Sequence, residues 1–162
     1  MNIFDSLSAG DVILDLDAKN KSDLLEILAM EAARRLDRSE QEILDTLRAR
    51  EELGSTGLGK GVAVPHTPIS GVTSPLTLFV RLRRPIDVDA RDAEPVDLVF
   101  LVLWPTEARK GLLEAMSDIS RIVREPQYLR RLRLAGTPEE AAQLLRHKQT
   151  AVGQSGPDRM TE

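Results

Sequence analysis

Cysteine is absent from the 162 residues, which excludes disulfides, thiol catalysis and thiolate metal sites. Aromatic residues make up 3% of the chain, too few for platforms that stack bases or sugars. There are two histidines, His66 and His147, far apart and without a spaced set of carboxylates, so no metal site is expected. No apolar run approaches the length that spans a bilayer, and no membrane insertion is expected. The start, Met1-Asn2-Ile3-Phe4-Asp5, lacks the basic and apolar regions of a secretory signal. A surplus of positive charge is lacking too. The net charge of −4 argues against a general nucleic-acid binder, which needs a basic face. These absences point to a cytoplasmic protein that uses no cofactor.

What is present is an ordinary globular balance, 41% hydrophobic and 30% charged, in a length that suits one domain with its own core. A short strand is expected at 12–16. Leu25, Leu28, Ala29, Ala32 and Leu36 recur at helical spacing and predict a helix over 22–36. Ser39-Glu40-Gln41-Glu42 is a capping-box pattern that opens a second helix, with Ile43, Leu44 and Leu47 on its apolar side, stopping at Gly54. Val62-Ala63-Val64 is β-like and is expected to end at Pro65, with a loop from Thr67 to Pro75. A strand follows at 76–82, broken by Arg83-Arg84-Pro85-Ile86-Asp87. Val96 to Trp104 is the most continuous apolar run and reads as a strand buried on both faces, near the middle of a sheet.

After Pro105 a helix carries Leu112, Met116, Ile119 and Val123 on one stripe, and Pro126 opens a shorter one with Leu129 and Leu132. Thr137-Pro138-Glu139-Glu140 starts the last helix, with cap, proline and acids in order. Strands alternate with helices, so the class is α/β. The domain is expected to span 1–148. Residues 149–162 are polar and read as a disordered tail.

One stretch carries the chemistry: Arg50-Glu51-Glu52-Leu53-Gly54-Ser55-Thr56-Gly57-Leu58-Gly59-Lys60-Gly61, then Val62-Ala63-Val64-Pro65-His66. A glycine-rich loop can turn backbone N–H groups into a cradle for an anion such as phosphate, here Gly54, Gly57, Gly59 and Gly61. Gly54 to Lys60 has the spacing of a nucleotide-binding G-x-x-x-x-G-K loop, but Gly61 stands where Ser or Thr should help hold magnesium. The context is also reversed, because this loop follows a helix and opens a strand. Histidine keeps a neutral, nucleophilic fraction at cell pH, so His66 beside an anion cradle suggests phosphoryl chemistry on the imidazole. The alternative is a strand-end histidine bonded to nearby backbone. His147, between Arg146 and Lys148, reads as a solvated helix end. Ser55 and Thr56 read as anion ligands or helix-end caps rather than nucleophiles. Arg50 is either a surface cation or the charge that meets a phosphoryl group.

From Arg50-Glu51 through Leu53 to Gly59, and on through Gly61-Val62-Ala63-Val64-Pro65-His66, the stretch closely resembles the active-site signature of bacterial enzyme IIA proteins. These belong to the phosphoenolpyruvate-dependent phosphotransferase system, in its mannitol/fructose and nitrogen-regulatory class. The likeness extends over roughly residues 1–147, through Ile3 to Leu16, Arg84-Pro85-Ile86-Asp87 and Pro95 to Leu101. A free-standing chain of this length looks most like the nitrogen-regulatory branch. The resemblance implies a mixed β-sheet sandwiched by helices, with His66 accepting a phosphoryl group from an HPr-like carrier. It also implies that Arg50, Ser55, Thr56 and the glycine loop offset the developing charge, and that the phosphorylation state selects a regulated partner such as a kinase, a transporter or a metabolic enzyme.

The chain departs from the family at two places. An ungapped alignment sets Gly111, in Arg109-Lys110-Gly111-Leu112, where the family usually has a second histidine, and Lys60 where nitrogen-regulatory members often have asparagine. Two alternatives follow: a sugar-specific enzyme IIA that passes phosphate to a permease IIB domain, or an interaction module that is not phosphorylated.

Overall fold

The computed structural model describes residues 3–147; the expected tail, 149–162, lies outside them. In chain order the elements are β1 (Val12–Leu16), α1 (Lys21–Leu36), α2 (Glu40–Glu52), β2 (Gly57–Gly59), β3 (Val62–Ala63), β4 (His66–Ile69), β5 (Leu76–Ile86), β6 (Val96–Pro105), α3 (Arg109–Val123) and α4 (Pro126–Leu134). A further helix, α5, covers 138–147. The six strands form one mixed sheet in the order β1-β5-β6-β3-β2, with β4 also on β6. β5 runs antiparallel to β6, whereas β1 is parallel to β5, and both β3 and β4 are parallel to β6.

Strand alternation divides the core in two. One face, Ala63, Ile69, Leu78, Val80, Val99, Leu101 and Leu103, packs on Leu24, Leu28 and Ala32 of α1 and Ile43 and Leu47 of α2. The other, Val62, Val64, Phe79, Leu98, Phe100 and Val102, packs on Ile119 and Ile122 of α3, Leu129 and Leu132 of α4, and Leu145 of α5. β6 contributes to both clusters, as its continuous apolar sequence requires. The helix starts are those read from the sequence: Ser39 Oγ accepts from Glu42 N at 3.3 Å, Pro126 opens α4, and Thr137 Oγ1 accepts from Glu140 N at 3.1 Å. Among the described residues no helix is long and apolar enough to cross a membrane.

Two expectations need correction. The strand does not end at Pro65: Val62 lies opposite Leu98 and His66 opposite Val102, so β3 and β4 are one extended path along β6 in unbroken register. Pro65 removes one donor from the ladder, but its carbonyl still accepts from Val102 N at 3.0 Å, so the backbone stays extended. Thr67 to Ile69 therefore belong to a strand, not a loop. Nor does Arg83 to Asp87 break β5. The strand shifts register after Arg81 and Ile86 rejoins the ladder opposite Val96, with Pro85 in the irregular part, where a missing donor is tolerated.

Candidate active site

His66 is placed by the parity of the β3–β4 path. Gly61 and Pro65 turn their carbonyls to β6, accepting from Leu98 N and Val102 N, each at 3.0 Å. The even residues between them therefore direct their backbone groups away from β6. On that outer side Val64 N donates to Thr56 O at 2.9 Å, and Val64 O meets His66 Nδ1 at 2.7 Å. A carbonyl can only accept, so Nδ1 carries the proton and Nε2 keeps its lone pair. Among the described residues Nε2 has no hydrogen-bond partner. Burial pushes the imidazole below its ordinary pKa, and the Arg50 charge acts the same way; the Val64 bond and Glu51 oppose them without prevailing. These influences favour the neutral ring, in which the lone pair lies on Nε2. The backbone bond therefore occupies Nδ1 and leaves the lone pair on Nε2.

Arg50 stands in the last turn of α2 and donates from Nη1 to Gly54 O at 2.9 Å. Its guanidinium has no acidic partner among the described residues, and its charge acts on the His66 ring. The neighbouring Glu51 turns inward. Its carboxylate accepts from Thr56 N at 3.1 Å and Thr56 Oγ1 at 2.7 Å. Ser55 Oγ donates to Val88 O at 2.7 Å and accepts from Gly57 N at 3.1 Å. Both hydroxyl hydrogens are thus committed to acceptors outside the loop, on Val88 and Glu51.

The glycines answer to packing more visibly than to an anion. Gly54 N is donated to Glu51 O and Gly57 N to Ser55 Oγ, so neither points into an open cradle. A Cβ on Gly57 would stand 2.8 Å from that of Ala90, and Lys60 N donates to Asp92 Oδ2 at 3.0 Å. Gly61 has φ of +81°, and its missing side chain leaves room for the Arg133 guanidinium. Arg133 is held by Asp97, with Nε 2.9 Å from Oδ2, and donates to Lys60 O at 2.8 Å.

Sequence reading missed Glu51, the 88–92 loop and Arg133 as parts of this neighbourhood. Only Glu51 carried a signal, as the acid next to Arg50 in the motif. Gly111 lies in the first turn of α3, under Trp104 of β6, while Arg109 and Lys110 are exposed. His147 is exposed at the end of the described chain, far in sequence and on another element from His66.

Residues 5–148 match the family model described as the phosphoenolpyruvate-dependent sugar phosphotransferase system, EIIA 2. The chain belongs to that family. A curated relative, the nitrogen regulatory protein of Pseudomonas aeruginosa, is 38% identical over 140 residues, covering 86% of this chain and 91% of its own. The crystal structure of nitrogen regulatory protein IIA-Ntr from Neisseria meningitidis superposes with a TM-score of 0.84 at 34% identity, covering 88% of this chain and 98% of that one. The IIA mannitol structure from Escherichia coli, at 19% identity and a TM-score of 0.71 over 86% of this chain and 99% of its own, shares the fold. Membership of the EIIA 2 family makes this chain a phosphotransferase-system component with the expected mixed sheet between helices.

Proposed function

We propose that this EIIA 2 protein is a phosphocarrier and regulator of the nitrogen-regulatory branch, accepting a phosphoryl group on Nε2 of His66 from an HPr-like carrier. The observation that carries this reading is the split of the imidazole: Nδ1–H is bonded to Val64 O at 2.7 Å, while among the described residues Nε2 has no hydrogen-bond partner and Arg50, whose charge acts on the ring, has no acidic one. In the transfer the Nε2 lone pair forms a bond to phosphorus as the donor's P–N bond breaks, and that electron pair returns to the donor nitrogen. The proton stays on Nδ1, and Val64 O stabilises the positive charge that the ring acquires. Arg50 offsets the charge of the incoming group. Ser55, Thr56 and the glycines Gly54, Gly57, Gly59 and Gly61 hold the loop in the shape that keeps Arg50 at the ring. Phosphorylation adds close to two negative charges at an accessible point on the surface, which changes the partner that docks. The protein acts in the cytoplasm, and the partner that it regulates is a kinase, a transporter or a metabolic enzyme.

The test combines the protein with phosphoenolpyruvate, the first enzyme of the system and the HPr-like carrier of its own organism. An acid-labile phosphate read by intact mass on the wild type, and absent from His66→Ala, supports the reading. No label, with a carrier proven active on another acceptor, overturns it and leaves a binding module. Onward transfer of the label to an added IIB domain would instead favour a sugar-specific enzyme IIA.

A further inference from the structure

We propose that Glu51 is a positioning residue for His66, fixing which ring nitrogen is free; the inference rests on His66 being the acceptor. An unbroken series of hydrogen bonds joins the two side chains. Glu51 accepts from Thr56 N at 3.1 Å and Thr56 Oγ1 at 2.7 Å, Thr56 O accepts from Val64 N at 2.9 Å, and Val64 O accepts from His66 Nδ1 at 2.7 Å. The Glu51 side chain is 8% exposed, and Lys21 Nζ approaches its Oε2 at 3.8 Å from the first turn of α1. A carboxylate this enclosed is tolerated because its oxygens are satisfied on both sides.

The series transmits position rather than charge, because successive bonds run through different peptide units. Pro65 has no N–H, so the peptide link after Val64 has no donor with which to fix its own orientation. The direction of the Val64 carbonyl is then set from its N–H side, by Thr56, which Glu51 holds at two points. Loss of that hold lets the carbonyl turn, and the imidazole proton is no longer confined to Nδ1. A proton on Nε2 leaves that nitrogen without a lone pair for phosphorus. Arg50 and Glu51 thus divide the work: one faces the incoming group, the other fixes the acceptor from behind.

The experiment reads the ring directly in the full chain, with no phosphoryl donor present. The protein has two histidines, so a long-range proton–nitrogen spectrum of 15N-labelled protein at pH 7.5 resolves His66, with His147 as the internal control. The wild type should show a protonated Nδ1 and an unprotonated Nε2. Glu51→Gln offers Thr56 one acceptor oxygen in place of two, and should lower the Nδ1–H to Nε2–H ratio of His66 by roughly fivefold, the loss of about one hydrogen bond, leaving His147 unchanged. Thr56→Val, which keeps its N–H and loses its hydroxyl, should move the ratio in the same direction by less. Thr56→Ser should restore the wild-type pattern. A folded Glu51→Gln with the wild-type pattern overturns the proposal; if that variant does not fold, an unshifted Thr56→Val does so. Failure of the wild type to take up phosphate counts against the acceptor reading alone, because this measurement does not use phosphate.

Discussion

The side chain that Gly111 lacks is replaced by the indole of Trp104: a Cβ there would lie 2.6 Å from Cζ2 and 2.8 Å from Cε2 and Nε1. A ring in the core wall cannot swing aside as a lysine tip can. Gly111→Ala would ordinarily favour a helix by about 1 kcal/mol, whereas overpacking costs about 1–3 kcal/mol. The clash should prevail. Gly111→Ala and, more severely, Gly111→His are expected to lower the melting temperature and to change the emission of Trp104, the one tryptophan in the chain. Supplying a second histidine at this place should therefore not improve phosphotransfer. A more stable Gly111→Ala with unchanged emission would refute the packing argument.

The pH behaviour of His66 follows from its burial. Its folded pKa lies below the ordinary 6.5, so between the two values the unfolded chain binds more protons than the folded one. The contribution to stability is complete above 6.5 and is lost as pH falls through the lower folded value. An NMR titration should show His66 deprotonating below the ordinary 6.5. A midpoint at or above 6.5 would contradict the structure.

Arg50→Ala should slow phosphoryl acceptance by about a hundredfold, the order measured when one preorganised donor is removed from a site of developing charge. It should also raise the pKa of His66, because the guanidinium is one of the causes of its depression. The two readouts belong together. A slower rate with an unmoved pKa would place Arg50 in carrier docking rather than beside the ring.

Gly61→Ala tests whether the loop glycines serve packing. The new methyl meets the Arg133 guanidinium and imposes a φ of +81° on an L residue. A loss of about 1–3 kcal/mol is expected in denaturant unfolding. Arg133→Ala, by vacating the space, should recover part of it in the double variant. Full additivity would show that the two residues do not meet.

The sequence made the helices legible because their caps and apolar stripes are local signals: Ser39, Pro126 and Thr137 each stand where a helix begins. β6 was legible because a strand buried on both faces has no polar alternation. β4 was not, since four residues containing a proline carry little strand signal, and only register with β6 makes them one. At the site, His66 and Arg50 could be named from the motif. Which ring nitrogen of His66 is bonded could not, because it depends on which way Val64 points its carbonyl. The contacts of Gly57 with Ala90 and of Gly61 with Arg133 join residues far apart in sequence, and no spacing announces them.

Among the described residues β4 pairs with β6 alone, so the strand that carries His66 has one side outside the sheet ladder. A bare edge invites another chain to add a strand. Odd residues of the path bond to β6, so the backbone nitrogen of Pro68 faces outward, where it offers no hydrogen. A second copy that tried to extend the sheet would find a donor missing in the middle of this short edge. The proline that hides β4 from sequence reading thus also takes one donor out of this short edge.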